Sequence, residues 1–133
     1  MKKTILIVDD SPDDIEITRI ALEETEHEVK LDAALHGKAA LEYLHTVHDL
    51  PVLILLDLKM PRMSGIDTLR QIRADERLKN IPVIIATSSS LDADEKAAYD
   101  AGANSFLHKD FSIDQFTSNL DNLLKCYLKN QQP

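Results

Sequence analysis

Two uninterrupted apolar runs in this chain each end in aspartate, and that pairing narrows the folds open to it. Ile5-Leu6-Ile7-Val8 leads into Asp9-Asp10, and Val52-Leu53-Ile54-Leu55-Leu56 leads into Asp57. Continuous runs of this kind suit strands covered on both faces, the situation of a parallel sheet. Strands of one parallel sheet finish at one edge, so the carboxylates of Asp9, Asp10 and Asp57 are expected to converge there. Neighbouring carboxylates repel and resist ionisation unless a cation joins them. A hard, oxygen-liking ion fits three such groups, and Mg²⁺ is the one expected. A metal beside a free carboxylate is a place to receive a phosphoryl group.

The rest of the chain alternates in the same way. Further strands are expected at Val29–Ala34, Val83–Ala86 and Ser105–Leu107. The first helix follows Ser11-Pro12, a capping hydroxyl and a proline that loses nothing at the first helical position. Ile17, Ile20, Ala21 and Leu22 read as its inward stripe. Ala40, Leu41 and Leu44 mark the second helix. Ser64-Gly65-Ile66-Asp67 opens the third, which carries Ile66, Leu69 and Ile72. The fourth runs from about Leu91 to Asp100 and stops at Gly102. The fifth starts at Ser112-Ile113-Asp114-Gln115 and runs to about Leu128. Strict alternation with right-handed crossovers predicts an α/β fold: a doubly wound, five-stranded parallel sheet with five helices. Sites in such sheets form outside the carboxyl ends of the strands. Asp9, Asp10, Asp57 and Thr87 lie at those ends, and Lys109 falls just beyond the last.

Composition closes off several functions. The 133 residues suit one domain, 1–133, with its core over about 3–128 and no output domain. A net charge of −8 disfavours nucleic acid, which demands clustered Lys and Arg. Cys126 is the only cysteine, so no internal disulfide and no Cys/His zinc spacing exists. The apolar stretch after Met1-Lys2-Lys3 is too short for a signal peptide, and no run approaches a membrane span. The expected location is the cytoplasm. His45 and His48 have a metal-compatible spacing but no third ligand nearby, and they read as surface residues. Asp13 and Asp14 favour the start of the first helix through its dipole and deepen the negative potential near the site.

Five segments in order carry a resemblance: Ile7-Val8-Asp9-Asp10, Leu55 through Gly65, Ile81 through Ser88, Ala101-Gly102-Ala103, and Lys109. Together they resemble the receiver domain of two-component response regulators, in the single-domain form of the chemotaxis regulators. The resemblance spans essentially the whole chain and implies a flavodoxin-like strand order, 2-1-3-4-5. It implies that Asp57 takes a phosphoryl group from a phosphohistidine on a sensor histidine kinase or a histidine phosphotransfer protein. Asp10 and Asp57 would bind Mg²⁺ directly, Asp9 mostly through water, and the Lys59 backbone carbonyl would add a ligand. Thr87 would hydrogen-bond the phosphoryl oxygen, Lys109 would pair with it, and Phe106 would be the switch aromatic. The signal would leave by contact with a downstream protein. The face built from the fourth helix, fifth strand and fifth helix would carry it, and would also serve a homodimer. Residues Ala74 through Pro82 resemble the same segment in small regulators paired with phytochrome-like or other sensor kinases.

The pattern also departs from that family. Asp110, not proline, follows Lys109, and a cis bond to a non-proline residue costs about 2.5–4 kcal/mol, so a trans bond is expected. Lys59 and Ser89 flank the path of a water attacking the phosphoryl group. Neither is a water-orienting carboxylate or amide, which predicts slow self-dephosphorylation. No turnover of an external substrate is expected. A phosphohydrolase of the haloacid-dehalogenase type would carry a second aspartate where Lys59 stands, and a cap insertion. An interaction module that is never phosphorylated would not need Asp9, Asp10, Asp57, Thr87 and Lys109 together. A flavin site would need a phosphate-cradling loop in place of Asp9-Asp10-Ser11-Pro12.

Overall fold

The apolar runs do form the centre of a parallel sheet. In the computed structural model, which describes residues 2–89, 91–109 and 112–129, the strands are β1 (Lys3–Val8), β2 (Val29–Ala34), β3 (Leu53–Leu56), β4 (Val83–Thr87) and β5 (Ser105–His108). They pair in parallel in the order β2-β1-β3-β4-β5, so the chain has the expected doubly wound, flavodoxin-like architecture. β1, β3 and β4 lie inside the sheet. Every residue of β3 and β4 is buried, which is why their sequences read as continuous apolar runs rather than alternating ones.

Five helices cover the two faces: α1 (Pro12–Glu24), α2 (Gly37–Thr46), α3 (Gly65–Ala74), α4 (Asp92–Asp100) and α5 (Ile113–Lys129). Odd and even strand positions sort the core into two layers. Ile5, Ile7, Leu53 and Leu55 pack with Ile15 and Leu22 of α1 and with Leu120 and Leu124 of α5. Leu6, Val8, Ile54 and Leu56 pack with Leu44 of α2, Leu69 and Ile72 of α3, and Ala98 of α4. No helix among the described residues is long and apolar enough to cross a membrane.

Serine caps start the helices where expected. Ser11, Ser64 and Ser112 each accept, at 3.2 Å, from the backbone N–H three residues on. His36 does the same for α2 with its ring Nδ1, at 3.1 Å from the Ala39 N–H, a cap that the residue type did not announce.

The inward stripe of α1 differs from the expected one. Ala21 and Leu22 are buried, but Ile17 and Ile20 are 39% and 42% exposed. Ile15 and Thr18 take the inner positions instead. Spacings of three and seven residues from Ile15 keep Thr18 and Leu22 on one face, whereas Ile17 lies about 200° around the helix. Thr18 tolerates burial because its hydroxyl donates to the Asp14 carbonyl at 2.9 Å.

Two glycines meet geometric demands. Gly102 has φ +109°, a conformation open to glycine, where α4 ends. Gly65 opens α3 directly against the β3–α3 loop. A Cβ there would overlap the Asp57 carbonyl oxygen and come within 2.7 Å of Leu58 Cα. At the far end of the sheet, Arg73 of α3 donates to the carbonyls of Gly102 (3.0 Å), Lys79 (3.0 Å) and Ile81 (2.8 Å) and to the Asn104 side chain (2.8 Å). Asn104 also accepts from the Val83 N–H, so one guanidinium ties α3, β4 and β5 together.

Candidate functional site

The parallel register delivers the carboxylates to one edge. Val8 pairs with Leu56, so Asp9 and Asp57 leave adjacent strands at the same level, and the Asp57 N–H donates to the Val8 carbonyl at 2.9 Å. One oxygen each from Asp9, Asp10 and Asp57 lie within 4.8 Å of one another. Asp9 and Asp57 are buried, while Asp10 is exposed. Among the described residues this is the one acidic or histidine-bearing group close enough to share a cation.

A single ammonium balances part of that charge. Lys109 Nζ donates to Asp9 Oδ2 at 2.7 Å and to Asp14 Oδ2 at 2.9 Å. Burial works against the Lys109 charge, but its hydrogen bonds to Asp9 and Asp14 and the nearby Asp57 carboxylate prevail, and its pKa is raised. Burial pushes the Asp57 carboxyl up. The Lys109 charge opposes that, the Asp9 charge adds to it, and the Lys59 N–H and the Thr87 hydroxyl favour the ionised form; the net result is upward. An acid with a raised pKa in a cleft beside a cation is a frequent mark of a reactive group.

Thr87 ends β4 with 1% of its surface exposed, and its hydroxyl accepts from the Ser89 N–H at 3.3 Å. Phe106 pairs with Ile85, two strand positions before Thr87, which pairs with His108. Its ring is half-buried against the α2–α3–α4 layer and lies 4.9 Å from the His108 ring, tilted by 53°. Lys59 meets Asp57 through its backbone N–H, while its side chain reaches outward to Asp94, 3.8 Å away. The Ser89 hydroxyl donates to the same Asp94 carboxylate. The two residues read from sequence as flanking the site are therefore joined through α4. The Lys109–Asp110 bond lies outside the described residues.

Asp9, Asp10, Asp57, Thr87 and Lys109 thus share one edge, with Phe106 one layer below. Two partners are not marked in the sequence. Asp14, expected to favour the start of α1 and to add negative potential near the site, also holds the site lysine. Asp94 carried no motif at all. His45 and His48 do not act together: they pair separately with Asp75 and Asp49, at 3.0 and 3.1 Å.

The donor set is chemically consistent with a hard divalent ion. It offers carboxylate oxygens, with two of the three groups buried and net negative charge left after Lys109 is counted.

Comparison with known proteins agrees with this geometry. The profile of the response regulator receiver domain matches residues 5–121. Response regulator Rre1 of Synechocystis sp. is 33% identical over 121 residues, covering 91% of this chain and 51% of that protein. The chain therefore spans about half the length of that relative. Among solved structures, the phosphorylated cyanobacterial phytochrome response regulator RcpA superposes with a TM-score of 0.88 at 27% identity, covering 98% of this chain and 96% of its own. The Mn²⁺-bound form of response regulator Rcp1 gives 0.81 at 29% identity, covering 92% of each chain.

Proposed function

Because the chain belongs to the response regulator receiver domain family of signalling proteins, we propose that Asp57 accepts a phosphoryl group from a phosphohistidine and that the protein passes the signal on by contact with another protein. The observation that carries this reading is the gathering of Asp9, Asp10 and Asp57 within 4.8 Å, with Lys109 bonded to Asp9 at the same edge.

Phosphoryl transfer depends mainly on positioning and charge neutralisation. An Asp57 carboxylate oxygen forms a bond to phosphorus while the P–N bond of the donor breaks and its electron pair stays on the ring nitrogen. No general base is needed, since the nucleophile is already ionised when it attacks. Thr87 and Lys109 supply a hydroxyl and an ammonium to the phosphoryl oxygens. Asp10, Asp57 and the Lys59 carbonyl would hold Mg²⁺, with Asp9 acting through water, and the ion would offset the charge that the phosphoryl group adds. The Mn²⁺ in Rcp1 and the phosphorylated state of RcpA support both assignments.

The phosphoryl donor is a sensor histidine kinase or a histidine phosphotransfer protein in the cytoplasm, and the likeness to RcpA makes a phytochrome-type kinase the first to try. The output face is α4–β5–α5, where Leu91 and Tyr99 stand 59% and 45% exposed; it serves a downstream protein or a second copy of the chain. Phe106 couples the site to that face, and Lys59 and Ser89 set the phosphoryl lifetime.

Acetyl phosphate labelling tests the assignment. The wild type gains one phosphoryl group when Mg²⁺ is added, and gains none with the metal chelated or after Asp57→Asn. A wild type that stays unlabelled with Mg²⁺, or an Asp57→Asn protein that labels normally, removes the reading.

A further inference from the structure

Lys109 does not reach only toward the three carboxylates of the site. Its ammonium has three donors, and two are committed, one to Asp9 and one to Asp14. Asp14 belongs to α1 and is held firmly. Its N–H donates to Ser11 Oγ at 3.2 Å, and its carbonyl accepts from Thr18 Oγ1 at 2.9 Å. The pair sits beside a small cavity of about 80 Å³ bounded by Asp14, Lys109 and the apolar side chains of Ile17, Ile113 and Phe116. Apolar walls reduce screening, so the attraction is stronger than for an open surface pair.

We infer that Asp14 is a positioning residue for Lys109, holding the ammonium on the α1 side of the pocket so that an incoming phosphoryl group must compete with it. The inference rests on the proposed phosphorylation of Asp57 and adds a brake to it. The contact with Asp14 pulls the ammonium away from an approaching phosphoryl oxygen. Asp14 therefore slows labelling, and its loss leaves the ammonium held by Asp9 alone.

The test uses phosphoramidate, a small donor that brings no docking surface, with saturating Mg²⁺. Asp14→Asn keeps the size and the backbone bonds but removes the charge. Asp13→Asn removes one charge from the same helical turn, at an exposed residue that forms no ion pair among the described residues. Asp14→Asn is expected to label about two- to fivefold faster than the wild type, the range for a partly exposed ion pair. Asp13→Asn and Asp14→Glu should stay near the wild-type rate. Added salt should narrow the gap between the wild type and Asp14→Asn, because only the wild type has the Lys109–Asp14 pair to screen. Asp14→Asn labelling at or below the wild-type rate overturns the inference. So does equal acceleration by Asp13→Asn, which would trace the effect to net charge alone. A wild type that takes no label at all instead sinks the phosphorylation reading, so the two failures are distinguishable. Thermal melts of each variant confirm that folded proteins are being compared.

Discussion

Removing the nucleophile should make the metal-free protein more stable. Asp57 is buried and shares the edge of the sheet with Asp9 and Asp10, all within 4.8 Å. Two unit charges at that separation interact by about 3.5 kcal/mol at an effective dielectric of about 20. Burial of the Asp57 charge is the largest cost and repulsion from Asp9 adds to it, while Lys109 offsets much of both and exposure screens Asp10. A net strain of about 1–2 kcal/mol is left, relieved in Asp57→Asn, whose amide oxygen can still accept from the Lys59 N–H and the Thr87 hydroxyl. For a domain of this length that corresponds to a rise of roughly 4–8 °C in Tm. The sign of the pH dependence follows from the raised pKa of Asp57. Below the unfolded carboxyl pKa of about 3.9, both states are protonated and the strain is absent. As pH rises from there to the folded value, the native state holds more protons than the unfolded one, so wild-type stability falls. Above that window the deficit is constant. Thermal unfolding in a chelator at low salt, from pH 3.5 to 8, measures this. The gap should open as pH rises and shrink again when Mg²⁺ is added. An Asp57→Asn protein no more stable than the wild type at neutral pH, or a gap that is independent of pH, would refute the reasoning.

Gly65→Ala places a methyl group against the Asp57 carbonyl and Leu58 Cα. It should cost about 1–3 kcal/mol in urea unfolding and slow acetyl phosphate labelling by displacing the nucleophile, whereas Gly37→Ala, which meets only side chains, should be milder. Phe106 should change rotamer when beryllofluoride and Mg²⁺ mimic the phosphoryl group, as read by ring NMR shifts or by a crystal structure. Identical Phe106 rotamers with and without the mimic would break the proposed link between Thr87 and the α4–β5–α5 face.

The fold was legible because its central strands are covered on both faces, so residues 5–8, 53–56 and 83–86 could hardly be anything but interior. The edge of the sheet was legible for a related reason: an aspartate directly after such a strand has a fixed address once the strands are parallel. Outer-layer detail was not. Ile17 and Ile20 have the apolar character of core residues, yet Thr18 is inside, because a threonine that bonds its own helix carbonyl buries without penalty. The partners of Lys109 and Lys59 were harder still. Asp14 lies 95 residues from Lys109 in the chain, and Asp94 of α4 meets Lys59 only because the β3–α3 loop comes up against that helix. Such contacts depend on how layers stack, which local spacing does not encode.

The Arg73 clasp has a mechanical consequence. By stitching the C-terminal end of α3 to the starts of β4 and β5, it binds the sheet along one margin, as a spine binds pages. Under the proposed phosphorylation, a change of charge at the opposite margin would then shift the loops there more readily than the clasped ends of β4 and β5.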